Sequence, residues 1–169
     1  MKNLYIRCLI VISLLIFPPA AAFGAVSLQQ WNSGEVRLLA TRSEVMRSLG
    51  TPDGVEDSVE WYDISGEEGL LRGALDYLDG ERVQAVHLAF RKDSVDLETL
   101  SNIIRNAFPG VFEVHRDGHM VIFLGKAADG EELLYFLALA GDPLEDRGPE
   151  LITMTEAANR HYQEEEAPE

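Results

Sequence analysis

The chain has 169 residues, of which 46% are hydrophobic, and it carries a formal net charge of −15. This length and composition fit one domain of ordinary size with a packed core. The acidity argues against nucleic acid and anionic lipid as partners, because binding to phosphate groups requires a surface rich in Lys and Arg.

The first 25 residues have the pattern of an export signal. Two cations precede an apolar run, Cys8–Phe17, and small residues follow it. Because the run is too short to span a bilayer, residues 1–25 are predicted to be a signal peptide that is cleaved after Ala22 or Ala25. An uncleaved anchor is the alternative. The mature chain is therefore expected in the periplasm or outside the cell, with no integral membrane segment.

The single cysteine, Cys8, lies inside this signal. A lipoprotein signal would place a cysteine after a Leu-Ala-Gly-type box at the end of the apolar run, whereas Cys8 stands at its beginning. The mature chain is then free of cysteine, which excludes disulfides, thiol nucleophiles and Cys-based zinc sites. An exported chain without cysteine fits a bacterial periplasm or exterior better than a small eukaryotic secreted scaffold.

Two internal helices are predicted from capped stretches. Thr41 and Glu44 have the spacing of a capping box, and Gly50 with Pro52 ends the helix that they begin. Asp96 can cap a second helix, which continues with apolar residues at the i, i+3, i+4, i+7 spacing of an amphipathic helix.

Strands are predicted from short apolar or alternating runs, several of them separated by Asp-Gly turns. The predicted strands are Ser58–Ile64, Gly73–Leu78, Arg82–Phe90, Val111–Arg116, Met120–Lys126 and Glu131–Ala140. Leu151–Tyr162 is predicted to be a short edge strand that runs into a terminal helix capped by Thr155. Residues 164–169 are predicted to be a disordered acidic tail.

These elements predict an α+β fold in which short helices pack on an antiparallel sheet, within one domain at residues 26–163. Residues 41–90 and 96–140 each contain a helix followed by three strands. This order indicates a duplicated helix–three-strand unit. The alternative is a single α+β sandwich without repeat ancestry.

The helix that begins at Thr41 carries a family resemblance. Its pattern Thr-Arg-x-x-Val-x-x-x-Leu-Gly-x-Pro, at residues 41–52, resembles the signature of small exported bacterial domains. These are the SmpA/OmlA-type outer-membrane assembly lipoproteins (the BamE component) and the fold group of the β-lactamase inhibitor protein. The resemblance implies a non-enzymatic, protein-binding domain outside the cytoplasm. The lipobox cysteine of the first group and the disulfides of the second are missing here, so neither specific function is carried over.

The sequence contains no constellation that predicts an enzyme, a cofactor site or a metal site. His115 and His119 flank an Asp-Gly turn, but strand alternation need not point both rings the same way, and a third ligand is not evident. His87 is interpreted as a packed histidine rather than a catalytic base. No Gly-x-Ser-x-Gly, P-loop or dinucleotide-binding motif occurs, and the glutamate clusters are interpreted as solvated surface.

Aromatic side chains on the predicted strands are the candidates for a functional surface. Trp61, Tyr62, Tyr77 and Tyr135 are predicted to contact a protein partner, because aromatic residues are favoured as interface anchors. We expect this site on a sheet face that the helices leave uncovered. The sequence thus predicts a protein-binding or envelope-assembly module whose partner is basic or located in the envelope. An inhibitor of a secreted or periplasmic enzyme is the alternative.

Overall fold

The computed structural model describes residues 38–63, 69–78, 80–108, 110–127, 132–141 and 147–165. These residues form an eight-stranded antiparallel sheet and three helices. The helices are α1 (Arg42–Leu49), α2 (Leu97–Ala107) and α3 (Glu156–Glu165). The strands are β1 (Gly54–Glu56), β2 (Val59–Asp63), β3 (Leu70–Asp76), β4 (Ala85–Phe90), β5 (Phe112–Arg116), β6 (Met120–Lys126), β7 (Leu133–Leu139) and β8 (Glu150–Thr155).

Two predicted terminal segments lie mainly outside this part of the chain. The predicted signal peptide at residues 1–25 falls entirely outside it. Of the predicted acidic tail, Glu164 and Glu165 form the end of α3, and residues 166–169 lie outside the described ranges. None of the described helices has the length and hydrophobicity needed to cross a membrane.

The sheet consists of two meanders that meet at its centre. β1–β4 are neighbours in sequence and in space, and β5–β8 run back towards them, so the strand order is β1-β2-β3-β4-β8-β7-β6-β5. The two meanders join where β4 pairs antiparallel with β8, with Leu88 opposite Leu151. The prediction of an edge strand beginning at Leu151 is therefore wrong, because β8 lies between β4 and β7 and is almost entirely buried.

The predicted α+β class, with short helices packed on a sheet, is also wrong, because strands dominate the described chain. Its eight strands form a sheet-dominated fold to which three short helices are added. The predicted helix–three-strand unit is one strand short in the first half, where four strands follow α1; within residues 96–140, α2 is followed by the three predicted strands, and β8 comes after them. The strand missing from the first half is β1, which lies next to a turn sequence.

Alternation along the strands gives the sheet two faces, which we call the closed face and the open face. The closed face carries the main core and packs against α1 and α2. Val45 of α1 and Leu100 and Ile104 of α2 are all 0% exposed. Their partners are the buried side chains Tyr62, Leu75, Leu88, Phe123, Phe136 and Leu151.

The two helices on the closed face begin as their sequences predict. The Thr41 hydroxyl accepts a hydrogen bond from the Glu44 N–H, and the Glu44 carboxylate accepts one from the Thr41 N–H at 2.8 Å. Gly50 then ends α1 with a φ of 84°, in the region that favours glycine. Asp96 caps α2 by accepting from the Thr99 N–H at 2.7 Å. The predicted capping box and the predicted second cap are confirmed.

The open face is only partly covered by the described helices. α3 folds back from β8 and packs across β8 and β7. Its buried Ala158 lies against Ala85, Ile152 and Met154. The Ala158 N–H donates to the Thr155 hydroxyl at 3.2 Å, so the predicted cap at Thr155 is confirmed. Beyond α3, no helix among the described residues lies over this face of β5 and β6.

Candidate functional site

An apolar surface lies on the open face of β5, β6 and β7, and we call it the open strip. Its members are all large apolar side chains that are partly or largely exposed: Phe112, Met120, Ile122, Leu124, Tyr135, Leu137 and Leu139. Strand pairing sets them in rows, with Phe112 opposite Leu124 and Leu124 opposite Tyr135. Phe112 is 57% exposed. Contiguous exposed apolar surface of this kind marks an interaction site more often than scattered single side chains do.

The four predicted binding aromatics divide between the two faces. Tyr62 and Tyr77 are 3% and 0% exposed and belong to the closed-face core, where a partner cannot contact them in this conformation. Trp61 and Tyr135 lie half-buried on the open face. Trp61 and Tyr62 lie on different faces of the sheet because consecutive strand residues point to opposite sides. Tyr135 is part of the open strip, whereas Trp61 lies on β2, on the other side of α3.

A buried carboxylate joins α1 to the closed face. Glu60 is 4% exposed, and its Oε1 lies 3.2 Å from Nε of Arg42. The hydroxyls of Tyr77 and Tyr62 donate to its Oε2 at 3.1 and 3.3 Å. Burial, and then the neighbouring Glu60 carboxylate, raise the pKa of both tyrosines, so they remain neutral donors. These contacts give Glu60 partners on both oxygens, as a structural role requires.

A second buried carboxylate, Asp76, anchors α3 to the open face. Asp76 is 5% exposed, and its Oδ1 accepts from the Ser58 hydroxyl and the Leu78 N–H, both at 2.7 Å. The Tyr162 hydroxyl of α3 donates to Oδ2 at 2.6 Å. Burial alone would raise the pKa of Asp76, but these three hydrogen bonds together hold it below its ordinary value.

His87 lies beside this carboxylate, under the edge of the Tyr162 ring, with the ring centroids 6.1 Å apart. Burial lowers the pKa of His87, and the nearby Asp76 charge opposes that shift. The Ser58 hydroxyl donates to Asp76 rather than to an imidazole. This arrangement therefore lacks the nucleophile–base contact that acyl-transfer chemistry requires.

A cleft of about 890 Å³ opens at the start of α1. Arg42 and Ser58 on its wall are already bound to the buried carboxylates described above. Asp57 and Glu81 bring acidic groups to the same wall. One cation and two acids around an open, polar cleft indicate no particular class of substrate.

The His115–His119 turn is organised by its own carboxylate. Asp117 Oδ1 accepts from the N–H groups of His119 and Met120 at 2.7 and 2.8 Å, and Oδ2 lies 3.2 Å from Nε2 of His115. These backbone donors, together with His115, lower the pKa of Asp117 to about 2. Among the described residues, no group of three or more His, Cys, Asp or Glu side chains is placed to hold a metal ion.

Comparisons with known proteins give little further information. No protein-family profile matches the sequence, and no curated protein matches it. The structure is similar to the crystal structure of a DUF4309 family protein (YjgB) from Bacillus subtilis, at 11% identity and a TM-score of 0.40, over 76% of this chain and 92% of that chain. This likeness is too low to carry over any property. Nothing in these comparisons points to the assembly lipoproteins or to the β-lactamase inhibitor protein, so that resemblance stays a prediction from residues 41–52.

The sequence reasoning missed both buried carboxylates. A signal for Glu60 was present, because alternation in β2 places it on the same face as the buried Tyr62. Asp76 had no such signal, since its burial depends on Tyr162, which is far away in sequence. The open strip was also not identified as a unit. β6 and β7 are apolar on both sides, and their sequence does not say which side a helix covers.

Proposed function

We propose that the chain is an exported, non-enzymatic protein-binding or envelope-assembly module, and that it contacts its partner through the open strip. One observation carries the proposal: large apolar side chains lie on the open face beside α3. Those of β7 pack against the α3 cluster, and those of β5 and β6 lie beyond it. Leaving such a surface in water is unfavourable, by about 25 cal/mol for each Å² of apolar area. A partner that covers it recovers that free energy.

The polar groups of the molecule support binding rather than catalysis. Glu60 is held by an ion pair with Arg42 of α1 and Asp76 by a hydrogen bond from Tyr162 of α3, so each buried carboxylate joins a helix to the sheet. A general acid or base must instead reach a substrate in a pocket. The cleft at α1 meets these networks through Arg42, Ser58 and the Leu78 N–H, and all three are already bound to the buried carboxylates.

The proposed location outside the cytoplasm rests on the signal pattern at residues 1–25. The charge of −15 supports a basic partner, because opposite net charges accelerate encounter at low ionic strength. The proposed partner is thus a basic or envelope-located protein rather than a nucleic acid. The proposal requires no cofactor.

Site-specific photo-crosslinking in intact cells tests this function. A photoreactive phenylalanine analogue replaces Phe112, which is 57% exposed on β5, and in a matched control it replaces Leu71, which is 45% exposed on β3. We expect position 112 to crosslink one discrete envelope protein and position 71 to crosslink none. Equal crosslinking at both positions, or none at either, contradicts the proposal. If the captured protein is a secreted enzyme that the chain inhibits, the inhibitor role replaces the assembly role.

A further inference from the structure

The two sides of β6 and β7 differ in what covers them. On the closed face, α2 lies over these strands, with Leu100 and Ile104 fully buried. Just beyond α2, the Phe108 ring packs 4.5 Å from the Phe136 ring, centroid to centroid. On the open face, the described part of the chain supplies α3 over β8 and β7 and nothing comparable over β6. Domains bury each apolar sheet face against another layer, so the described residues leave one layer incomplete at the open strip.

The dimensions of the open strip suit a single helix. Three adjacent strands are about 10 Å across between the outer two, which is close to the diameter of an α-helix. From Met120 to Leu124 the strip is about 14 Å long, which corresponds to about ten residues of helix. α2, which covers the reverse side, has 11 residues.

An extended strand fits the neighbouring edge less well. β5 is the outermost strand on this side of the sheet, and all five of its residues are exposed. Its pairing with β6 is broken by a register shift between Glu113 and His115. Such bulges disrupt the regular row of backbone groups that an added strand needs.

A second copy of the chain is also a poor occupant. The strip itself contains no charged side chain, but each chain carries a net charge of −15, so two copies repel one another. α3, which borders the strip, exposes Glu164, whereas its exposed Glu156 is paired with Arg160 at 3.6 Å. A helix with basic residues on its outer face would be attracted by the net negative charge of the chain.

We infer that the open strip binds an amphipathic helix of a partner protein, with its apolar stripe on β5–β7 and basic residues on its outer face. The inference rests on the proposed function and specifies the form of the partner. The partner helix completes the second layer of the sheet beside α3, as α2 completes the first layer on the reverse side. Apolar residues at i, i+3, i+4 and i+7 supply the contact.

Three synthetic peptides of equal length test the inference against the full chain by fluorescence anisotropy. One is an amphipathic helix of Leu, Lys and Gln, the second replaces Lys by Glu, and the third is a scrambled form of the first. We expect the Leu/Lys helix to bind at least tenfold more tightly than the other two. Phe112→Gln and Leu124→Gln should each weaken its binding at least tenfold, whereas the matched control Leu71→Gln should leave it unchanged. Circular dichroism confirms that each variant is folded.

Four results overturn the inference. Equal affinity for the basic and acidic helices contradicts the charge argument, and equal weakening by Leu71→Gln shows that binding is not at the strip. A dimer that Leu124→Gln dissociates identifies a second copy as the occupant. Peptide binding that needs deletion of residues 26–37 identifies the chain's own segment as the occupant.

The two proposals fail separately. Crosslinking of a partner at position 112 without binding of the Leu/Lys helix overturns the helix and leaves the proposed function standing. Binding of the Leu/Lys helix without any crosslink in cells leaves the helix inference standing and overturns the proposed function. It supports a helix-binding strip and contradicts the proposed envelope partner.

Discussion

The two faces of the sheet are made of similar residues, but the side chains of one face are buried and those of the other are partly exposed. On β6, Val121 and Phe123 point to the closed face and are 0% and 1% exposed. Their neighbours Ile122 and Leu124 are equally apolar, point to the open face and remain partly exposed. Side-chain hydrophobicity therefore does not decide burial here. The decisive factor is whether a helix lies above the strand.

The faces also differ in how they use buried charge. On the closed face, Glu60 is held by Arg42, which belongs to the covering helix α1. On the open face, Asp76 is held by Tyr162, which belongs to the covering helix α3. Each face thus has one carboxylate that ties a helix to the sheet, but only the closed face adds a large apolar core. We expect the closed face to determine stability and the open face to determine binding.

The largest expected effect comes from one pair of neighbours on β6. Phe123→Ala should lower the free energy of unfolding by about 3–5 kcal/mol, because it leaves a cavity in a close-packed core. Leu124→Ala should lower it by about 1 kcal/mol or less, since its side chain is already partly in water. Urea unfolding of both variants measures the difference. Equal losses would mean that the open face is as tightly packed as the closed face.

Next in size is the ion pair that joins α1 to the closed face. Arg42→Met should lower the free energy of unfolding by about 2–3 kcal/mol, because it leaves the Glu60 carboxylate buried without its cation. This is below the range of about 3–5 kcal/mol for broken buried pairs, since the Arg42 side chain is 44% exposed. Arg47→Met, on the exposed side of the same helix, is the control, with an expected change within about 0.5 kcal/mol. Similar losses in both variants would contradict a specific role for Arg42.

A smaller effect is expected where α1 begins. Thr41→Ala removes the hydroxyl that accepts from the Glu44 N–H, so the free energy of unfolding should fall by about 1 kcal/mol. Ser48→Ala, an exposed change within the same helix, should cost nothing, because Ala favours helix more than Ser does. Thermal unfolding of the two variants provides the measurement. An unchanged midpoint for Thr41→Ala would show that α1 does not depend on its cap.

The local features of the fold were predictable from the sequence for a physical reason. Thr41, Glu44 and Gly50 act on backbone groups within four residues of themselves, so their spacing alone specifies where α1 begins and ends. Asp96 does the same for α2. The predicted hairpin at Asp117-Gly118 also depends on contacts within three residues. Such signals are independent of the rest of the fold.

The arrangement of these elements was not predictable in the same way. β8 lies at the centre of the sheet because Leu88 pairs with Leu151, and nothing near Leu151 specifies a partner so distant in sequence. The burial of Tyr77 and the partial exposure of Tyr135 depend likewise on which face each helix covers. The sequence therefore predicted that the candidate site lies on a sheet face left uncovered by helices, but it did not predict which residues form that face. Tyr135 alone among the four predicted residues lies within the open strip.

The smallest expected effect tests the part of the open face that α3 covers. Burial keeps the pKa of His87 below its ordinary value near 6.5, so the unfolded chain takes up a proton there before the folded chain does. The His87 contribution to stability is therefore complete above about pH 6.5 and declines as the pH falls through the folded pKa. Asp76, whose folded pKa is also lowered, adds a loss in the same direction only below about pH 4.

Urea unfolding midpoints at pH 7.5 and pH 5.5 isolate the His87 contribution. We expect the unaltered chain to lose stability between these values and His87→Gln to lose less, because Gln does not titrate. The exposed His115, His119 and His161 are present in both proteins and cancel in the comparison. An equal decline in both proteins would mean that water reaches His87 beneath Tyr162. The covered part of the open face would then be as hydrated as the open strip, and α3 would not seal it as α2 seals the reverse side.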